Sequence, residues 1–74
     1  MSTLSKEEKI QLINSRINGL EFRKYALDLD LIVENAKTTP DEDAISVINS
    51  GISELEAQMS ALDTELAAVN ALTE

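Results

Sequence analysis

Residues 45–69, ISVINSGISELEAQMSALDTELAAV, carry the pattern that decides the fold. Large apolar side chains recur in this stretch at alternating spacings of three and four residues. That spacing is typical of a helix that packs lengthwise on another helix. The stretch therefore predicts a long helix with one apolar contact seam, formed by Ile45, Ile48, Ile52, Leu55, Met59, Leu62, Leu66 and Val69.

The same spacing occurs earlier in the chain, at Ile10, Ile13, Ile17, Leu20, Leu27 and Leu31, with the polar Lys24 among them. When the two stretches are paired antiparallel they fall into register, so that Ile10 is level with Val69 and Leu31 with Ile48. A single polar seam residue such as Lys24 can fix register or partner choice. We call the two apolar sets together the inner seam. They predict an all-α antiparallel two-helix hairpin that resembles a coiled coil.

Capping residues predict where helix 1 begins. Ser5 is followed three residues later by Glu8, the spacing of a capping box in which each side chain binds the other residue's backbone N–H. Lys37 is expected in the last turn, where a cation is favoured. Helix 1 is therefore predicted over residues 5–37, approximately.

The segment Thr39-Pro40-Asp41-Glu42 predicts the turn and the start of helix 2. Thr39 offers a capping hydroxyl, proline suits the first helical position, and acidic residues suit the first turn. We therefore expect a turn at residues 38–40 and helix 2 over about residues 40–72. Residues 1–74 would then form a single helical hairpin.

Two glycines leave a rival arrangement open. Glycine in a helix interior is about 1 kcal/mol less favourable than alanine, and Asn18-Gly19 is ordinarily a turn signal. Three or four shorter helices, broken at Gly19 or Gly51, are the alternative. We favour two continuous helices because the three-four spacing passes through both glycines without a change of phase.

Charge narrows the possible partners. The chain has 74 residues and a net charge of −8, and all its basic residues precede residue 38. Residues 38–74 hold eight acidic residues and no basic one. Direct binding to nucleic acid is not expected, because neutralising phosphates requires clustered Lys and Arg. The acidic surface could keep the protein in solution or could match a basic surface on a partner.

No catalytic residue, cofactor site or metal site is predicted. The chain contains no histidine and no cysteine, which removes the commonest catalytic bases, nucleophiles and metal ligands. Paired acids such as Glu54 and Glu56 are two residues apart and point in different directions on a helix. We expect that the protein is not an enzyme.

No targeting or membrane segment is expected. The first nine residues lack the apolar core of a signal peptide, and no apolar run approaches the roughly 18 residues that a membrane span needs. These features predict a protein that is not secreted by a signal peptide and does not contact membranes. It would stay in the cytoplasm or belong to a larger soluble assembly such as a virion.

A second apolar stripe on helix 1 is the feature of the sequence that is most informative about function. It occupies positions that face away from the inner seam, and such a stripe is larger than the apolar patches monomers usually expose. It could join two hairpins into a four-helix bundle, dock on a different protein, or belong to one broad core of a three-helix fold. We call it the outer stripe: Phe22, Tyr25, Leu29, Ile32, Val33 and Ala36, with Ala26 among them.

These patterns predict a homo-oligomeric structural or protein-protein interaction module, such as a viral or accessory subunit. The alternative is a small acidic regulator or inhibitor that docks on a partner protein, for example at a basic or nucleic-acid-binding surface. In length, pattern and turn position the chain resembles Rop-type plasmid regulators. That resemblance is architectural, and it implies short helical hairpins that pair into a four-helix bundle.

Overall fold

The computed structural model describes residues 3–73, in which two α-helices form an antiparallel hairpin. Helix α1 spans Lys6–Asn35 and helix α2 spans Glu42–Asn70. The helices pack along their length into a rod of 57 × 18 × 14 Å. Residues 3–73 contain no β-strand. The predicted all-α helical hairpin is confirmed.

The start of α1 shows both hydrogen bonds of the capping box. The Glu8 backbone N–H donates to Ser5 Oγ at 3.1 Å, and the Ser5 backbone N–H donates to Glu8 Oε1 at 3.0 Å. The Ser5 backbone N–H, and then its side chain, hold the pKa of Glu8 below its ordinary value. Local sequence therefore fixes the first turn of α1.

The N-terminus of α2 differs from the sequence prediction. Thr39 as the cap, with Pro40 as the first helical residue, is wrong, because Asp41 occupies the N-cap position. Asp41 Oδ1 accepts from the backbone N–H of Asp43 at 2.9 Å and from that of Ala44 at 3.3 Å. One carboxylate thus serves two unpaired donors, and its charge also suits the positive end of the helix dipole.

The connection between the helices is also longer than predicted and spans residues 36–41. Helix α1 ends at Asn35 with Ala36 as its C-cap, so Lys37 follows the helix instead of lying in its last turn. Proline disfavours helical geometry at the residue before it. Pro40 lies immediately before Asp41, the N-cap of α2, and it therefore disfavours helical geometry at Thr39. Thr39 and Pro40 both lie outside the two helices.

Both helices run uninterrupted through their glycines, so the arrangement broken at Gly19 or Gly51 is wrong. A Cβ atom on Gly51 would lie 3.0 Å from Leu27 Cδ1. The missing side chain at Gly51 therefore lets α1 and α2 approach closely. A Cβ atom on Gly19 would meet no such neighbour within 4 Å among the described residues, so the hairpin alone gives no reason for this glycine.

Two contacts report the register of the hairpin. Leu27 lies beside Gly51, the neighbour of its expected level partner Ile52. At the end opposite the turn, Lys6 Nζ donates to the Leu72 carbonyl oxygen at 3.0 Å. Both contacts agree to within one residue with the antiparallel register of the inner seam.

Candidate interaction surface

The outer stripe lies on the side of α1 that faces away from α2, and its side chains are exposed. Ala36, its last member, is exposed at the C-cap of α1. The interpretation that the stripe belongs to an intramolecular core is therefore wrong for the described chain. The exposed fractions are 80% for Phe22, 63% for Tyr25, 64% for Ile32 and Val33, and 43% for Leu29.

No charged residue interrupts the outer stripe. From residue 11 to the C-cap Ala36, the positions that face away from the seam hold apolar, small or amide side chains. The charged residues of this range lie on the flanks of α1 or in its inner seam. On one flank, Arg16 and Arg23 line a groove beside Leu62 of α2. A contiguous exposed surface that is apolar and free of charge is typical of a contact site for another molecule.

The predicted inner-seam residues lie between α1 and α2, but at shallow depth. Val69 is only 4% exposed, and no large side chain among the described residues is fully buried. A rod of two helices covers its seam from one direction only, which limits the apolar area removed from water. The half-buried members are Ile10, Ile13, Ile17, Leu20, Leu27, Leu31, Ile45, Ile48, Ile52, Leu55, Met59, Leu62 and Leu66.

Lys24 occupies a seam position, but its ammonium group lies beside an acid of its own helix. Lys24 Nζ is 3.4 Å from Asp28 Oδ2, and both side chains are partly exposed. The aliphatic part of lysine can cover apolar surface while its charged end stays hydrated. A partly exposed pair of this kind contributes only about 0.3 to 0.5 kcal/mol.

Glu34 is the one described charged residue that is buried, and sequence reasoning missed it. Its Oε1 accepts from Lys37 Nζ at 2.9 Å, and its Oε2 accepts from the Asp41 backbone N–H at 3.0 Å. Lys37 first, and then the Asp41 N–H, hold the pKa of Glu34 below its ordinary value. Glu34 thus connects the end of α1 to the cap of α2.

Two features of the sequence could have revealed Glu34. It continues the three-four spacing of the inner seam beyond Leu31, and Lys37 follows it at helical spacing. A carboxylate at a seam position needs a partner, because burying an unpaired charge is strongly unfavourable. The nearby lysine and the N-terminus of α2 supply that partner.

The described residues show no group of three or more potential metal ligands. Neither helix is long and apolar enough to cross a lipid bilayer.

Comparison with protein-family models, with curated proteins and with solved structures finds no match to this chain. Function is therefore inferred from the hairpin's own surfaces. Among these, the outer stripe combines high exposure with an absence of charge.

Proposed function

We propose that the protein is a non-catalytic structural or interaction module that self-associates through the outer stripe. The observation that carries this proposal is the exposure of Phe22, Tyr25 and Ile32 on one face of α1. The hairpin has no fully buried large side chain among its described residues. A second hairpin against this face would give α1 an apolar contact on both sides and would form a four-helix assembly with the two α1 helices at its centre.

This role fits an assembly subunit of the cytoplasm or of a larger particle such as a virion. Structural subunits of this kind need surfaces that fit together and no reactive groups. The rod shape also suits the role, since a hairpin of 57 Å presents its apolar face along an extended line.

A second candidate is an acidic regulator that docks on the basic surface of a different protein. It is favoured by the charge of the second half of the chain, where residues 38–74 contain eight acids and no base. Binding of this kind weakens as salt is added, because exposed charges are screened. Self-association through the apolar stripe would persist at high salt, so salt dependence separates the two functions.

Leu29→Glu tests the first proposal. A carboxylate in an apolar interface must be desolvated without a partner or must separate the subunits. We expect Leu29→Glu to shift the protein from oligomer to monomer in sedimentation analysis, while circular dichroism still shows a helical hairpin.

Val47→Glu is the matched control, because Val47 is 72% exposed on α2 and lies outside the outer stripe. This variant should keep the oligomeric state of the unmodified protein. A monomeric unmodified protein at all accessible concentrations would refute self-association. Equal loss of the oligomer in both variants would show that added negative charge, not the stripe, controls assembly.

A further inference from the structure

A second three-four repeat on the back of α1 extends the outer stripe toward the N-terminus. All its members are exposed. The alternation of spacings is that of helices paired lengthwise in a left-handed supercoil. We call this set the outer seam: Leu12, Ser15, Gly19, Phe22, Ala26, Leu29, Val33 and Ala36.

The sizes of these residues fit an antiparallel second copy of α1. With a two-fold axis near residue 24, every level pair joins a large side chain to a small one. A parallel, in-register pair would place Phe22 on Phe22 and Leu29 on Leu29, and would leave the small residues facing one another. The antiparallel level pairs are Leu12 with Ala36, Ser15 with Val33, Gly19 with Leu29, and Phe22 with Ala26.

The antiparallel pairing gives Gly19 a role that the isolated hairpin does not. Glycine destabilises a helix interior relative to alanine, yet the space beside Gly19 is open in the hairpin. Opposite Leu29 of a second copy, the missing side chain would let the helices approach closely and would leave room for the leucine.

Charge placement supports the same pairing. Arg16 and Asp30 lie on the same flank of the outer seam, and the antiparallel arrangement brings Arg16 of one copy near Asp30 of the other. Two-fold symmetry forms this pair twice. Arg23 approaches its own copy at the axis, but it is exposed, so solvent screens the repulsion.

We propose that a second copy of this chain docks antiparallel on the outer seam, with Gly19 of each copy opposite Leu29 of the other. The proposal rests on the self-association proposed above and specifies its geometry. A two-fold contact uses the same surface on both copies and therefore closes at two hairpins.

Exchanging the large and small side chains at positions 19 and 29 tests the Gly19–Leu29 pair. Gly19→Leu should weaken the dimer by about tenfold or more, because it overpacks the contact at two symmetry-related places. Leu29→Ala should also weaken it through lost apolar contact. Combining the two changes swaps large and small within one pair and should recover most of the affinity that Gly19→Leu loses.

Dissociation constants from analytical ultracentrifugation measure these effects, with Val47→Leu on α2 as the control. Val47→Leu should bind as the unmodified chain does. Unchanged affinity in Gly19→Leu would overturn the proposed geometry. Additive losses in the double variant, with no recovery, would also overturn it.

Disulfide cross-linking tests the direction of pairing, because the chain contains no cysteine of its own. The Leu12→Cys and Ala36→Cys variants, mixed and oxidised, should form a mixed disulfide dimer in preference to either homodimer. Homodimers of each variant would show a parallel pair and overturn the proposal.

Two further outcomes distinguish the antiparallel geometry from self-association itself. An oligomer that forms no cross-link between residues 12 and 36 would overturn the antiparallel geometry while leaving self-association standing. Docking of α1 on the small outer residues of α2, such as Ala57 and Ala61, would give that result. A chain that stays monomeric at all concentrations would overturn both proposals.

Discussion

Gly51 and Gly19 both lie inside long helices, but only Gly51 has a close neighbour in the hairpin. A Cβ atom on Gly51 would lie 3.0 Å from Leu27 Cδ1, whereas one on Gly19 would meet no such neighbour within 4 Å among the described residues. Gly51 serves the contact between α1 and α2. Gly19 lies on the face of α1 that α2 does not cover. The contact at Gly51 is therefore made within the hairpin, whereas the space beside Gly19 is unfilled.

The two faces of α1 differ in the same way along their length. Leu20 on the inner seam is half-buried against α2, whereas Phe22 and Ile32 on the outer stripe remain mostly in water. Both faces are rich in large apolar residues, so composition does not distinguish them. The two faces differ in their contacts, because α2 covers the inner seam and no part of the described hairpin covers the outer stripe.

The largest expected effect comes from truncating the inner seam. Leu62→Ala should lower the free energy of unfolding by about 2 kcal/mol, the low end for leucine truncation because Leu62 is only half-buried. Ile32→Ala on the outer stripe should change it by less than about 0.5 kcal/mol. Urea denaturation at concentrations too low for association measures both. Similar losses would show that both faces belong to one core.

The turn offers a second comparison, between the cap that was predicted and the cap that is present. Asp41→Ala should lower the free energy of unfolding by about 1 kcal/mol, because two backbone N–H groups lose their acceptor. Thr39→Ala should have little effect. Chemical denaturation of the two variants side by side decides the matter, and a larger loss from Thr39→Ala would place the cap at Thr39.

The glycines themselves give a test of similar or smaller size. In the monomeric hairpin, Gly19→Ala should raise the free energy of unfolding by up to about 1 kcal/mol, the helix propensity of alanine over glycine. Gly51→Ala should gain less, because its new Cβ atom requires Leu27 to move. Thermal unfolding of dilute samples measures the contrast. Equal gains would mean that the contact at Gly51 is looser than the structure shows.

Glu34→Gln should give the smallest effect, and that effect should depend on pH. Lys37 and the Asp41 N–H lower the pKa of Glu34 in the folded hairpin. The charged carboxylate therefore stabilises the fold at neutral pH, and this contribution is lost as pH falls through the lowered folded-state pKa. Urea titrations should show the unmodified chain more stable than Glu34→Gln at neutral pH. The advantage should shrink as the pH is lowered below the ordinary carboxyl range; a gap that stays constant on acidification would exclude this charge effect.

The sequence was informative where one physical requirement repeats. An interface between two long helices imposes the same spacing at every turn, so residues such as Ile48, Ile52 and Leu55 together predict the hairpin. The start of α1 was equally accessible, because Ser5 and Glu8 satisfy each other locally.

The details of the turn could not be predicted from local sequence in the same way. Thr39 and Asp41 both have side chains that can cap a helix, and local propensity does not choose between them. The choice involves Glu34, which lies seven residues before Asp41 and binds its backbone N–H. The position of the outer stripe, in contrast, could be predicted from helical spacing. Spacing alone does not specify which molecule binds the stripe, because that depends on the surface of the second molecule.

The single connection between the helices also sets the order in which the inner seam can form. Leu31 and its level partner Ile48 are 17 residues apart in the chain, whereas Ile10 and Val69 are 59 apart. Closing a short loop loses less conformational entropy, and each layer that forms shortens the loop for the next. The hairpin should therefore fold from the turn outward and fray from the opposite end, where the hydrogen bond from Lys6 to Leu72 is the first to open.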